Sequence, residues 1–559
     1  MVFIVKKTIN EKDYYYLRKS KRVGTKVKSI CLGYLGKDKK QAEKRAKEMI
    51  KKMSEEKEIK KQKNEIAKKD LQKSNLEKKD LSIEEMATFC KRKGFVYQSS
   101  DIYGGFAGFW DFGHIGVELK NNIKKEWWNS HVRQREDVVG IDGSVITNPK
   151  VWEASGHVSG FNVNDILVTC KKCKKSGKIE KFELGKVKCE CGGEYDLNNA
   201  QTIEQMFKVK IGLDNYAYLR PETAQLIFTN FKFVQDSARM KLPFGIAQIG
   251  KAFRNEVAPR DFLFRLREFE QMEIEYFVDP DKKCPYELGE SEIVIYSEEM
   301  QKLDQEPQKM KFKDAYKKKI IKTDWHAYWL ENEFLWFVNL GASPDKFRLR
   351  QHISDEKSHY ALDTWDLEYN FPFGWKELQG MANRTDFDLK QHQKYSKKNL
   401  EIMDNDKKIL PHVVCEPSQG VERAMLVFLF DAYYFDKKRN NVVFKLHPKL
   451  SPIKAAVFPL IKQPEFEKIT EDVVNDLRKD WNVISDRSGS IGRRYARNDE
   501  IGTPYCITID GDSLKNKDAT IRDRDTTKQI RVKISELKNI LRNLINGDIK
   551  FEKAGKLIK

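Results

Sequence analysis

The 559-residue chain is 40% hydrophobic and 11% aromatic, a composition that builds a core and excludes a disordered polymer. Its length suggests three or four domains. Charged residues make up 34% and the formal net charge is +20, so a polyanionic partner is a first candidate. No apolar run reaches the roughly 18 residues of a membrane helix. The opening MVFIVKK is too short an apolar stretch for a secretory leader, so a cytoplasmic protein without a membrane partner is expected.

The charge is uneven along the chain. Residues 1–80 hold 26 Lys and Arg against 12 Asp and Glu, a net +14, whereas the other 479 residues hold 78 against 72, a net +6. Residues 1–37 alternate apolar and basic positions around Gly24, which predicts a basic β-hairpin appendage. Tyr14, Tyr15 and Tyr16 beside Arg18, Lys19, Lys21 and Arg22 suit stacking on RNA and neutralising it. A solvated lysine-rich surface is the alternative. Residues 38–80 contain no Gly or Pro and predict a charged helical connector.

From residue 81 the composition becomes that of a folded domain, expected to run to 445. Ser82 and Glu85 have capping-box spacing and predict a helix that Gly94 closes. A glycine-rich aromatic loop, DIYGGFAGFWDFG, then leads into an amphipathic helix. Cys170-x2-Cys173 and Cys189-x-Cys191 crowd into a small insert at 166–200. Four thiolates at this spacing point to a structural Zn2+. Three ligands, or a lost site, are the alternatives, since the second pair is one residue short of the usual spacing. Residues 280–345 read as a second insertion. The runs IAQIGKAFRNE and FRLREFEQMEIEYF predict an antiparallel hairpin, with Arg254 and Glu256 on one face and Glu273 and Glu275 on one face. Past LHPKLSP a strand, helix, three strands and a helix predict a separate α/β domain over 446–559.

Neither common glycine-rich phosphate loop is present, so arginines on strands are the natural nucleotide holders. At this point the segments acquire a family likeness. FRNE with RLREFEQMEIEYF resembles motif 2 of a class II aminoacyl-tRNA synthetase, and EPSQGVERAM resembles its motif 3. With YLRPETAQ, GHVSGF, REDVVG and GWKELQGMANRTDFDL, the likeness narrows to the dimeric glycyl-tRNA synthetases over roughly residues 81–540.

The resemblance implies an α+β fold: an antiparallel sheet of six or seven strands flanked by helices, and a C-terminal α/β anticodon-binding domain. It implies that glycine and ATP form glycyl-adenylate and that the glycyl group then passes to the 3′ end of tRNA(Gly). On this likeness Arg254 clamps the α-phosphate, Arg423 holds the γ-phosphate, and Glu256 accepts from the adenine amino group. Asn255, Phe264, Arg265, Leu266, Arg267, Glu268 and Phe269 join the ATP site, with Glu377, Leu378, Gly420, Val421 and Glu422. Phe269 stacks on the base, and Glu377 with Glu416 holds Mg2+. Glu222, Glu273, Glu416 and Ser418 surround the glycine ammonium. Arg135, Phe269, Glu270, Gln271, Met272, Arg384, Pro417, Gln419 and Gly420 complete the glycine site, with Arg384 alternatively a structural ion pair. The helix GVELKNNIKKEWWNSHV resembles motif 1 and implies a homodimer, although its Trp127 and Trp128 also suit a core. Arg493, Arg494 and Arg497 are implied RNA contacts, with a solvated loop as the alternative. The family's Gly-Pro after the aromatic pair is replaced here by Gly113-His114.

Overall fold

The structure, a computed structural model, describes residues 2–9, 12–23, 26–36, 38–41, 43–47 and 81–558, the last with gaps at 161–164, 175, 181–186, 190, 203–204, 355, 357–360 and 405–406. The chain forms two compact units, residues 1–78 and 79–559. Among the described residues no helix is long and apolar enough to cross a membrane.

In the first unit, β1 (Val2–Ile9), β2 (Lys12–Val23) and β3 (Lys26–Gly36) form an antiparallel sheet in that order. The expected hairpin is therefore β2–β3, and β1 adds a third strand. Residues 39–41 and 43–47 are helical, whereas the rest of the connector lies outside the described residues. So do the side chains of Tyr16, Arg18, Lys19, Lys21 and Arg22.

The second unit opens with α1 (Ile83–Lys93), capped as its sequence predicts. Ser82 Oγ accepts from the Glu85 amide, Glu85 accepts from the Ser82 amide, and Gly94 takes the left-handed conformation at the far end. The helix α2 (Gly116–Trp128) follows the aromatic loop, and β4 (Val138–Ile141) comes next. The cysteine insert is a small sheet of β5 (Asp165–Cys170), β6 (Ser176–Glu180) and β7 (Tyr195–Thr202).

Among the elements that follow are α3 (Ala224–Ala238), β8 (Phe244–Phe253), β9 (Glu268–Val278), β10 (Glu292–Tyr296), β11 (Gln308–Lys311) and α4 (Asp324–Asn339). After them come β12 (Phe347–Gln351), β13 (Asp363–Phe371), β14 (Gly374–Asn383), α5 (Phe387–Ser396), β15 (His412–Gly420) and α6 (Val421–Ala432). They build one nine-stranded sheet ordered β11-β10-β12-β13-β14-β15-β9-β8-β4. The expected six or seven strands are thus exceeded, because the insertion at 280–345 adds β10 and β11 at one edge. Pairing is antiparallel except β10 with β12 and β8 with β4.

Side-chain alternation gives the sheet two faces. On β9, Met272, Ile274 and Tyr276 point into a core that includes Leu119 and Trp127 of α2, Trp329 of α4 and Met425 of α6. Trp127 is thus core. The opposite face carries Phe269, Gln271, Glu273 and Glu275. Its far end is covered by α3 and α5, where Phe228, Phe231, Phe277 and Leu389 share a second cluster. The uncovered remainder is a cleft.

The C-terminal part has its own core and a mixed sheet ordered β17-β16-β18-β19-β20-β21. The strands are β16 (Ala455–Pro459), β17 (Val483–Ser485), β18 (Tyr505–Ile509), β19 (Asp518–Asp523), β20 (Gln529–Lys533) and β21 (Lys556–Ile558). Its main helices are α7 (Pro464–Leu477), α8 (Ile491–Glu500) and α9 (Leu537–Asn546). The helix α8 replaces what read as an arginine-bearing loop, and this corrects one expectation. Arg494 is buried and its guanidinium donates to the carbonyls of Pro459 (2.6 Å) and Gly489 (3.0 Å), so it is not an RNA contact. Arg497 is half-exposed and paired with Asp486, and Arg493 is exposed.

Candidate functional site

The cleft encloses about 280 Å³ over β9, β13, β14 and β15 and the loop that follows β8. One side of it is a crowd of carboxylates. Glu222, just before α3, Glu273 of β9 and Glu416 of β15 are all buried. The Ser418 hydroxyl donates to Glu273 Oε1 at 2.6 Å, and the Gln271 amide donates to Ser418 at 3.2 Å. Thr223 donates to the other oxygen of Glu273.

A continuous network fixes these acids. His157 Nε2 lies 3.1 Å from Glu222. The Gln225 amide donates to Glu222 (3.2 Å) and to Asp388 (2.9 Å). Arg384 bridges Asp388 (2.8 Å) and Glu416 (2.5 Å) and is itself 1% exposed. A buried guanidinium left with one acid would be costly, which explains why Asp388 accompanies Glu416. Arg384 therefore acts as the ion pair that the alternative reading described, and it touches the cleft only through Glu416.

The acids outnumber the cations beside them. Burial pushes Glu416 up to about 8, with Arg384 opposing and Glu273 and Glu222 adding to the rise. Burial and Glu222 also raise Glu273. Burial alone would raise Glu222 as well, but His157, Arg384 and Arg254 hold it below the ordinary range. A cation entering among Glu222, Glu273 and Glu416 relieves this crowding. Glu275 sits one layer deeper. Its two oxygens lack a hydrogen bond among the described residues, and burial with Glu416 raises it well above the ordinary range.

The other side of the cleft carries arginines. Arg254 follows β8 immediately, so Arg254 and Glu256 leave the strand rather than share its face as expected. The Arg254 Nε donates to the Pro221 carbonyl at 3.0 Å and its guanidinium lies 5.4 Å from the Phe269 ring centre. Arg265 donates to Glu256 at 2.8 Å. Arg423, in the first turn of α6, donates to the Glu377 carbonyl (3.0 Å) and lies 4.6 Å from the Phe264 ring centre. These two arginines, Phe264, Phe269 and Leu378 all line the cleft. Gly250 is needed behind it, since a Cβ there would come within 2.0 Å of the buried Arg220 guanidinium.

Several expected site residues lie elsewhere. Arg135 is engaged by Asp137 (2.8 Å) and the Tyr328 hydroxyl (2.8 Å), and it does not line the cleft. Glu268, Glu270 and Met272 alternate onto the helix-covered face of β9. Glu270 meets Lys124 at 2.9 Å, Glu268 pairs with Lys251, and Met272 is core. Glu422 still lines the cleft, but its carboxylate is taken by Lys120 (2.6 Å) and the Glu270 amide (3.0 Å), and Val421 is core. Asn255 and Arg267 shape the loop through the Gln205 carbonyl (2.8 Å) and the Glu256 carbonyl (2.8 Å). Pro417 is buried opposite Met381. Glu377 and Glu416 do not share a cation, because Glu416 pairs with Ala382, five residues or about 16 Å along β14 from Glu377.

The cleft also has residues that the sequence reading passed over: His352, Thr364, Asp366, Gly380 and Ala382 line it. The alternation in DTWDLE was a signal for Thr364 and Asp366. For His352, at the end of β12, no local pattern was available.

In the insert, Cys170 and Cys191 sulfurs are 3.5 Å apart, and those of Cys173 and Cys189 3.6 Å. All four sulfurs lie within 4.8 Å of one another. Tetrahedral zinc with Zn–S of about 2.3 Å requires S···S of about 3.8 Å, so the four thiols fit such an ion, including the shortened second pair.

Residues 207–431 match the family described as tRNA synthetase class II core domain (G, H, P, S and T), and residues 454–544 match the anticodon binding domain. Curated relatives named glycine–tRNA ligase include one from Bacillus cereus, 42% identical over 499 residues, covering 83% of this chain and 99% of that one. Those of Thermobifida fusca (41% over 497 residues) and Borrelia hermsii (40% over 478) each cover 83% of this chain and 98% of their own. Among solved structures, a prolyl-tRNA synthetase from Cryptosporidium parvum matches with a TM-score of 0.50 at 15% identity, over 83% of this chain and 77% of that one, a likeness of fold alone.

Proposed function

The chain belongs to the glycine–tRNA ligases, class II synthetases with an anticodon-binding domain, and from that premise we propose that it activates glycine with ATP and transfers the glycyl group to tRNA(Gly). The observation that carries the reading is the juxtaposition in one cleft of Glu222, Glu273, Glu416 and Ser418 with Arg254 and Arg423.

Glycine offers only an ammonium and a carboxylate. The three buried acids hold the ammonium, and the Ser418 hydroxyl adds a hydrogen bond. Their packing leaves no room for a side chain, so alanine is rejected by clash and no editing site is required. The glycine carboxylate is already a nucleophile and attacks the α-phosphorus of ATP, with pyrophosphate leaving. Arg254 neutralises the charge that grows on the α-phosphate, and Arg423 holds the phosphate tail. Phe269 and Glu256 hold the adenine once Arg265 releases Glu256. Positioning and charge neutralisation supply the catalysis.

ATP and Mg2+ are the usual partners of this class. The expected Glu377–Glu416 pair does not fit one Mg2+ ion. Glu377 alone stands beside Arg423, at 3.4 Å. The four cysteines suit a structural zinc, which when bound would cross-link the insert. In this reading residues 81–445 are the catalytic domain and 446–559 read the anticodon. The protein works in the cytoplasm as a homodimer, and the exposed apolar side chains of Ile102, Tyr103 and Phe106 suit such a pairing. Charging of tRNA(Gly) transcript with labelled glycine tests the reading, and a folded protein that forms no glycyl-tRNA refutes it.

A further inference from the structure

One wall of the cleft has no task in glycine activation. His352, Thr364 and Asp366 line it. Asp366 pairs across the sheet with Gly380, Gly380 with Ser418, and Ser418 with Glu273. Asp366 therefore stands two strands, or about 10 Å, from Ser418. Gly380 keeps the space between them open, since a Cβ there would meet only Asp366 Oδ1 and Glu377 Oε1, each at 3.7 Å. The glycine site on β9 and β15 thus lies between Arg254 and Phe269 on one side and, on the other, this wall, which borders Glu377 beside Arg423 in the same cleft.

His352 is the one histidine among the described residues that line the cleft. Its Nε2 lies 2.8 Å from Asp366 Oδ2, and Asp366 is 5% exposed. A carboxylate accepts, so Nε2 carries the proton and Nδ1 is left as the basic nitrogen. Among the described residues Nδ1 has no partner. A base held in one tautomer by a buried acid, beside an open space, is the arrangement of general-base catalysis.

We infer that His352 takes the proton from the tRNA ribose hydroxyl during glycyl transfer, with Asp366 as its positioning residue. This rests on the ligase reading. The ribose oxygen forms a bond to the glycyl carbonyl carbon while the bond from that carbon to the phosphate oxygen breaks. AMP leaves with the electron pair, and the hydroxyl proton goes to His352 Nδ1 and then to solvent. Activation of glycine, the first step, needs no base and does not involve His352.

The test uses the full chain, its His352→Ala, His352→Gln and Asp366→Asn variants, and tRNA(Gly) transcript. Glycine-dependent ATP–pyrophosphate exchange reads the first step. Rapid-quench transfer from preformed adenylate reads the second. Exchange in the His352 variants should stay within about threefold of wild type while transfer falls about a hundredfold, the range of a lost general base. Imidazole should restore part of the rate to His352→Ala, and Asp366→Asn should slow transfer about tenfold. The inference is overturned by transfer that stays near wild type, by exchange that falls as far as transfer, or by a transfer loss that imidazole leaves unchanged. Normal exchange certifies folding in each variant, with His352→Gln as the conservative replacement. A wild type without glycine-dependent exchange refutes the ligase reading itself, whereas normal wild-type exchange with normal His352 variants sinks only this inference.

Discussion

Glu273→Gln is the most informative perturbation of the amino-acid site. The side chain is 1% exposed and accepts from Ser418 at 2.6 Å and from Thr223. The amide keeps the shape and removes the charge. A carboxylate about 4 Å from an ammonium, at an effective dielectric of about 20, contributes about 4 kcal/mol. Burial and Glu222 raise this group, so ionising it offsets part of that gain. A net loss of about 2–3 kcal/mol remains, which is about 30- to 150-fold in kcat/KM for glycine. Exchange measured over a glycine series at saturating ATP reads this directly. The KM for ATP should not move, because Arg254, Arg423 and Phe269 are untouched. A well-folded variant with kcat/KM for glycine within about threefold of wild type would refute the carboxylate cage.

Burial among Glu273 and Glu222 pushes Glu416 up to about 8, which favours its protonated form at pH 7, while the ammonium favours its charged form. Glycine affinity should therefore rise with pH toward 8, with proton release visible by calorimetry in two buffers. The stability tied to this group, present below its unfolded value of about 4.5, should be lost as pH climbs toward 8. Arg423→Ala should lower kcat/KM for ATP about 10- to 100-fold, the value of a charge-assisted hydrogen bond, and leave alanine rejection intact. Purified protein should hold about one zinc per chain and lose it in Cys170→Ser, which metal analysis checks. Removing residues 1–78 should raise KM for tRNA and leave exchange unchanged, as expected for a basic unit whose effect weakens with salt.

The cleft was legible wherever chemistry and alternation coincided. On β9, Glu273 and Glu275 read correctly as one face, because a period of two is all a strand needs. The same rule should have excluded Glu268, Glu270 and Met272, which the family likeness swept in as a contiguous stretch. Arg135, Glu422 and Arg494 show a second limit. Each is a charged residue in a suggestive motif, and each is engaged by groups that the motif does not single out: Asp137 and Tyr328 for Arg135, Lys120 for Glu422, and the Pro459 carbonyl for Arg494. Glu377 and Glu416 lie on adjacent strands, and only the register shows how far apart they stand. His352 and Asp366 meet across the β12–β13 pair, a contact that no local pattern announces.

The most direct test of the central claim is ATP–pyrophosphate exchange with glycine, alanine and serine in parallel. The carboxylate cage beside the phosphate arginines predicts exchange with glycine and none above background with the other two. Comparable exchange with alanine, or none with glycine from folded protein, would contradict it.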